Sequence, residues 1–421
     1  MPARGAGLAL KVILRPMDSR LVIVGAGQAA AQLIDTLRRK GYSGAIALLG
    51  DEPYLPYQRP PLSKKYLAGA LELERLLLKQ RPFYDEHRVA LHLGRRAESI
   101  DRARREVVDQ AGDRHAYDTL VLATGSRARR ISLPGAELAG VLYLKTLADA
   151  DAIRAEAQAG RRAVIIGGGY IGLEAAATLR GLGVEVTVLE MADRVMNRVV
   201  CAPVSQFYQS EHARHGVRLV LNARPTEFLA AASGRIGGVR CADGTEHAAD
   251  LVVVGIGVLP EDGLAQRAGL DCNNGIVIDS FCRTSDPAVY AIGDCSNFAS
   301  AHYGARLRLE SVDNAFEQAN TAALDIVGSP VAHDKVPWFW SDQYEHKMLI
   351  VGISQGYDQL VVRGDARGPA FSACYLRGGE LIAIDTINNA KDQMAARKLI
   401  AAHARPDPLK LADPAIPLKD C

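Results

Sequence analysis

The chain of 421 residues is long enough for roughly two to four domains. Hydrophobic residues make up 48% and charged residues 23%, which implies a sizeable folded core, and a net charge of +2 gives no argument for nucleic acid or a membrane surface as a partner. No apolar run reaches the ~18–20 residues needed to span a bilayer. The seven cysteines form no CxxC pair and no zinc-like spacing, so reduced thiols of a cytoplasmic protein are expected, with neither a disulfide framework nor a metal site.

Residues 1–17 carry Arg4, Lys11 and Arg15 and no acid. Lys11 interrupts the apolar stretch and no cleavage-like end follows. Residues 1–20 therefore read as an N-terminal extension, or as an early start upstream of Met17. LVIVGAGQAA then begins at Leu21 as a buried strand and turns through Gly25, Gly27 and Ala30 into an amphipathic helix. The form is GxGxxA, with Ala30 where close helix–strand packing accepts Gly or Ala. A second strand, AIALLG, leads to Asp51, placed to meet a ribose hydroxyl.

RAVIIGGGYIGLEAAATLRGLGVEVTVLE repeats the pattern. A strand precedes Gly167, Gly169 and Gly172, a helix follows, and a second strand ends on Glu190. One glycine loop is weak evidence, but two copies, each with strand, helix and terminal acid, point to two dinucleotide sites. Glycine lets backbone N–H groups approach a pyrophosphate at a helix N-terminus. Glu190 favours NADH over NADPH, because a 2′-phosphate would be repelled where a 2′-hydroxyl can donate. Arg194 and Arg198 follow closely and soften that preference.

Between the two copies lies ATGSR, with Thr124 and Gly125, and far downstream YAIGDC places Gly293 and Asp294 at a strand end. Asp294 there suits a polyol hydroxyl; the alternative is a plain strand-to-helix cap. Toward the C-terminus MLIVG, QLVVRG, AFSACYL and ELIAIDTI read as short strands, and NNAKDQMAARKLIAAHA as a closing helix. His212 and His215 have helical spacing, but no third ligand type lies close, so both are expected on a surface face.

RPPLSK (59–64), ATGSR, GGGYIGLE, YAIGDC, ESVDNAFEQA (310–319) and PWFWSDQY (337–344) together resemble the FAD-dependent NADH:ferredoxin reductases of the putidaredoxin reductase type, within the glutathione-reductase-like superfamily. The resemblance covers about residues 20–421. It implies an α/β fold with two Rossmann-like domains and a smaller C-terminal α+β domain. The FAD domain would be discontinuous, 21–122 and 250–328, around an NAD domain at 123–249, and 329–421 would form the C-terminal domain.

The resemblance also implies roles. Ala29 and Asp51 would hold the FAD pyrophosphate and adenosine ribose, Ala97 the adenine end, Asp294 the ribityl chain and Val312 the pyrimidine edge of the flavin. Lys64 would reach the isoalloxazine, where a fixed ammonium stabilises charge that arrives with hydride. Tyr170 and Ile171 would supply backbone and packing to NADH, with Gly257 nearby, and the Glu174 carboxylate would fix the nicotinamide carboxamide; a solvated helix residue is the alternative. Trp340, on one strand face with Trp338, would lie near the flavin and the ferredoxin dock. Two departures stand out: Lys145 where Arg is usual, and Glu261 where Asn is usual.

The function implied is electron transfer from NADH through FAD to an acidic [2Fe–2S] ferredoxin serving a cytochrome P450 or, alternatively, a ring dioxygenase or rubredoxin system, with the reductase a monomer. Arg306, Arg308, Lys335, Lys347, Arg363 and Lys391 are candidates for a basic docking face. An NADH oxidase or disulfide reductase would need a redox cysteine early in the chain, and the first here is Cys201. A signal protein of the apoptosis-inducing-factor type would need an anchor and a long C-terminal insertion.

Overall fold

The structure, a computed structural model, describes residues 17–421, so most of the expected N-terminal extension lies outside the described residues. The chain divides into two compact units. The first comprises residues to Tyr57, Leu78–Gly125 and Pro260–Asp334; the second comprises Gln58–Leu77, Ser126–Leu259 and Lys335–Cys421.

The first unit is built on a parallel sheet in the order Val289–Ala291, Thr119–Leu122, Leu21–Val24, Ile46–Gly50, Val89–Leu93. Its strands are near-continuous apolar runs because both faces are covered, as parallel sheets with helical crossovers require. Leu33, Ile34 and Leu37 of the helix Gln28–Arg39 are fully buried in the same core as Ala319, Ala322 and Ala323 of the helix Val312–Ile326. Small residues allow these two helices to approach closely. Where polar groups enter the contact they are paired: the Thr36 hydroxyl donates to Asn320 Oδ1 at 2.7 Å. On the same unit Asp325 is buried and receives the Arg283 guanidinium through Nε at 2.7 Å and the Tyr290 hydroxyl at 2.6 Å.

The second unit carries a parallel sheet of the same design, ordered Arg218–Val220, Glu185–Leu189, Arg162–Ile166, Leu251–Val254, Val141–Tyr143. It also carries an antiparallel sheet, ordered Trp338–Gln343, His346–Gly352, Glu380–Ile387, Phe371–Arg377, Gln359–Arg363, followed by the helix Ala390–Ala401. All four C-terminal strands and the closing helix read from the sequence are present.

The antiparallel strands are apolar on both faces for a specific reason. One face, with Val351, Leu381 and Ile384, packs against Ala396 and Ile400 of the closing helix. The other face, with Met348, Ile350, Phe371 and Tyr375, shares a core with Leu173, Val204, Phe207 and Tyr208 from the nucleotide-binding part of the chain. This shared core goes with the grouping of residues 335–421 and 126–259 in one compact unit.

Two polar devices tie this unit together. Asp385 is only 1% exposed, and burial pushes its carboxyl up to about 7. The Tyr375 hydroxyl donates to Asp385 and accepts from the Cys201 backbone N–H at 2.9 Å. Arg363 is also buried. Its guanidinium donates to Asp392 Oδ2 at 2.9 Å and to the carbonyls of Leu411, Asp413, Pro414 and Ile416. Arg363 is therefore not a docking cation, as the sequence reading allowed, but the clamp on the C-terminal segment.

Two stability tests follow from these buried charges. Asp325→Ala leaves the Arg283 guanidinium without its carboxylate and is expected to lower unfolding free energy by about 3–5 kcal/mol, read as a drop in chemical-denaturation midpoint. Asp385 titrates at its ordinary value of 3.8 when unfolded and at about 7 when folded. Its contribution is thus intact below about pH 4 and is lost as pH rises to about 7. Asp385→Asn, which keeps an acceptor for Tyr375, should gain stability over wild type at pH 8, by up to roughly 4 kcal/mol at 1.36 kcal/mol per pKa unit, and none at pH 4. Equal differences at the two pH values would refute this.

Candidate functional site

Each unit holds one glycine turn between a buried strand and a helix N-terminus. Gly25 has φ +106°, and a Cβ there would lie 2.2 Å from the Ala123 carbonyl oxygen. Gly167 has φ +103°, and a Cβ there would lie 2.6 Å from the Gly255 carbonyl oxygen. No other residue fits either position without strain. By contrast, Gly27 and Gly169, the N-caps of Gln28–Arg39 and Tyr170–Gly181, face open space. Neither helix has a side-chain cap or an acid in its first turn. Two helix N-termini thus keep their N–H groups for an outside anion, which is the requirement for a pyrophosphate. Ala30 and Gly172 are buried at the close-packing position, and a Cβ on Gly172 would meet the Gly167 carbonyl at 2.1 Å.

The acids expected at the strand ends differ in setting. Asp51 is exposed just past Gly50. Glu190 accepts the Gly168 N–H at 2.7 Å on one oxygen and the Ala192 N–H at 2.8 Å on the other. A carboxylate has about four acceptor sites, so two remain. Arg194, the neighbouring cation, spends its guanidinium on the carbonyls of Val200 at 2.8 Å and Asn197 at 2.9 Å.

In the first unit, other predicted residues gather around the same strand ends. The Thr124 hydroxyl donates to the Glu261 carbonyl at 2.6 Å, and Glu261 N–H donates to the Gly125 carbonyl at 2.9 Å. Glu261 makes these two bonds through its main chain, so replacing the usual Asn leaves them intact. Gly293 lies with its Cβ direction 3.5 Å from Ala29, and its N–H donates to Gln318 Oε1 at 2.7 Å. Asp294 sits in a single 3₁₀ turn after the strand Val289–Ala291, and Val312 is the first residue of the helix capped by Ser311. Ala97 opens the strand Ala97–Asp101.

The second unit brings together two residues that sequence reasoning assigned to different cofactors. Lys64 Nζ donates to Glu174 Oε2 at 2.6 Å, with the side chains 17% and 2% exposed. Ser63 Oγ donates to the same oxygen at 2.5 Å, and Ser341 Oγ donates to Oε1 at 2.7 Å. Glu174 is therefore neither solvated nor unpaired. Its carboxylate is held by one ammonium and two hydroxyls in the second turn of the glycine-loop helix. Neither serine was marked in the sequence. Ser63 is signalled only by its place beside Lys64, and Ser341 only by the strand alternation that puts it opposite the tryptophans.

Other residues of this unit have partners of their own. Lys145 Nζ donates to Ser126 Oγ at 2.7 Å, and its carbonyl accepts from Arg59 at 2.9 Å. Tyr170 is edge-on to Phe339 with ring centroids 5.0 Å apart, while Ile171 is exposed and Gly257, at φ +97°, has open space beside it. Trp338 and Trp340 share one strand face, 5.8 Å apart, as the alternation predicts, with Phe339 on the other face in the shared core.

The histidine reading needs correction. His212 is fully buried, not on a surface, because its helix face meets the hairpin around Tyr344: Nε2 bonds Gln343 Oε1 at 2.9 Å and Nδ1 bonds the Tyr344 hydroxyl at 3.1 Å. Among the docking cations Lys335, Lys347 and Lys391 are exposed, whereas Arg308 is largely buried and pairs with Glu310 at 2.6 Å. Arg306 donates to Asn297 at 2.9 Å. All seven cysteines are free, and burial raises every one of their thiols, Cys272 to about 11. Such settings favour the protonated thiol over the thiolate.

Comparison with known proteins agrees with this architecture. The pyridine nucleotide-disulphide oxidoreductase model matches residues 19–319, and the reductase C-terminal model matches 338–421. The chain is 43% identical over 403 residues to the 5,5′-dehydrodivanillate O-demethylase ferredoxin reductase subunit of Sphingobium, covering 95% of this chain and 97% of that one. It is 40% identical over 407 residues to putidaredoxin reductase of Pseudomonas putida, covering 96% of each. The covalent putidaredoxin reductase–putidaredoxin complex superposes with a TM-score of 0.93 at 41% identity, covering 95% of this chain and 97% of that chain. Two glycine turns, their uncapped helices and a C-terminal sheet with its closing helix thus have one explanation: the chain belongs to the pyridine nucleotide-disulphide oxidoreductase family and carries that family's reductase C-terminal domain.

Proposed function

We propose that the chain takes electrons from NADH through FAD and passes them to a [2Fe–2S] ferredoxin that serves a cytochrome P450. Residues 21–122 and 250–328 would hold FAD through Gly25, Gly27, Asp51 and Asp294, and 123–249 would hold NADH through Gly167, Gly169 and Glu190. Bound FAD supplies the conversion of a two-electron donor into one-electron deliveries. The observation that carries the reading is the buried Lys64–Glu174 pair in the second turn of the second glycine-loop helix.

The chemistry assigned to the protein is binding and orientation. Helix N-termini without side-chain caps hold the pyrophosphates. Glu190 accepts from ribose hydroxyls with the lone pairs left by Gly168 and Ala192, and it repels a 2′-phosphate. Glu174 accepts from the carboxamide NH2 of the nicotinamide and so fixes which ring face is presented. Lys64, held against Glu174, keeps a positive charge at a set position, where it favours the arrival of negative charge. The ferredoxin part of the reading is supported by relatives named as ferredoxin reductases, among them a subunit for an O-demethylase and the reductase of the CYP199A2 system from Rhodopseudomonas palustris.

Glu190→Ala should erase most of the preference for NADH over NADPH in ferricyanide reduction, measured as the ratio of kcat/KM values; an unchanged ratio sinks the ribose role. Lys64→Met leaves the Glu174 carboxylate buried without its cation, and should cost about 3–5 kcal/mol of stability in denaturant melts as well as slow flavin reduction. The acceptor is tested by NADH-driven cytochrome c reduction with added [2Fe–2S] ferredoxins and a P450. A rate that no ferredoxin raises above that of the reductase alone removes the ferredoxin reading.

A further inference from the structure

The hydrogen bonds around Glu174 extend well past its immediate partners. Gln343 Nε2 donates to Ser341 Oγ at 3.2 Å, Gln343 Oε1 meets His212 Nε2 at 2.9 Å, and His212 Nδ1 meets the Tyr344 hydroxyl at 3.1 Å. Ser341, Gln343 and His212 are each at most 1% exposed. The outer end is braced, since the Tyr344 ring stacks on His215 at 3.7 Å with planes 8° apart.

The carboxylate end sets the direction of the whole series. An ionised carboxylate only accepts, so Ser341 must spend its one proton on Glu174. Its oxygen then accepts from the Gln343 amide nitrogen, which leaves the Gln343 carbonyl facing His212. His212 Nε2 must therefore carry a proton, and Nδ1 must accept from Tyr344. Every donor points the same way, toward Glu174, and aligned hydrogen bonds polarise one another. A doubly protonated His212 would lose its acceptor for Tyr344. Burial favours the neutral ring and pushes its pKa down to about 4. Glu211 on its own helix, His215 at that helix's C-cap, and Tyr344 from the hairpin are the titratable groups that face it. Lys64, Tyr170 and Tyr208 surround the Glu174 end.

We propose that Ser341, Gln343 and His212 form a one-directional positioning chain that holds the Glu174 carboxylate fixed in rotation for its contact with the nicotinamide. The inference rests on the role given above to Glu174. It assigns a function to the SDQY segment of the C-terminal sheet, and to a histidine on the helix Ala202–Arg214, in a reaction neither residue group touches.

The test has two arms. In the FAD-loaded protein with histidine labelled by 15N, the His212 ring should show the neutral Nε2–H tautomer at pH 7 and keep it down to pH 5. An Nδ1–H tautomer or an imidazolium overturns the chain, whatever the activity. In anaerobic rapid mixing with NADH, Ser341→Ala and Gln343→Met should slow flavin reduction by ~10–100-fold, the range for residues that orient a ligand-contacting group, with NADH affinity unchanged. Ser341→Thr, which restores the hydroxyl, should recover most of the rate. Wild-type rates in folded Ser341→Ala and Gln343→Met beside a slow Glu174→Gln overturn the chain and leave the Glu174 role standing. A wild-type rate in Glu174→Gln removes the Glu174 role and the positioning claim with it.

Discussion

A carboxylate removed from water must be compensated on every side, and Glu174 shows what that demands of a fold. Its charge needs an ammonium, both oxygens need donors, and the donors come from two stretches of chain far from it in sequence: Ser63 and Lys64 on one side, Ser341 on the other. Leaving any donor out costs the unit a desolvated charge. The position of the segment Gln58–Leu77 and of the strand Trp338–Gln343 within the second unit is thus bound up with one side chain. A group placed for chemistry also acts as a structural keystone.

The same logic recurs at lower intensity. Asp325 gathers Arg283 and Tyr290 in the first unit, and Asp385 holds the Tyr375 hydroxyl in the second. The two cases resolve burial in opposite ways. Asp325 sits against a guanidinium and keeps its charge compensated. Asp385 has a hydroxyl for company and is pushed toward the neutral acid.

Much of the architecture was legible in the sequence because it is written in short-range chemistry. Glycines with positive φ against a neighbouring carbonyl admit no substitute, so Gly25 and Gly167 announce their turns directly. The C-terminal strands declare themselves by alternation, and Trp338 and Trp340 fall on one face as that alternation requires. Long-range pairings were not legible. Nothing in the spacing of Lys64 and Glu174 says that the two meet, and each was assigned to a different cofactor. His212 reads as a surface residue because, with His215 at helical spacing, it has no third ligand type close by in the sequence. Its burial is decided by Gln343 and Tyr344, far along the chain. Arg363 was misjudged for the same reason, since a guanidinium can be hidden wherever enough carbonyls converge.

That convergence on Arg363 shapes how the protein can change over time. The clamp grips main-chain oxygens of Leu411, Asp413, Pro414 and Ile416, atoms that every amino acid possesses. Leu411 is itself buried in the core, but the side chains from Ala412 to Ala415 are exposed and released from much of the duty of holding the stretch in place. Divergence can accumulate there at little structural expense, provided the path of the backbone is kept. The burden of constancy is transferred to one arginine and the aspartate that orients it, Asp392.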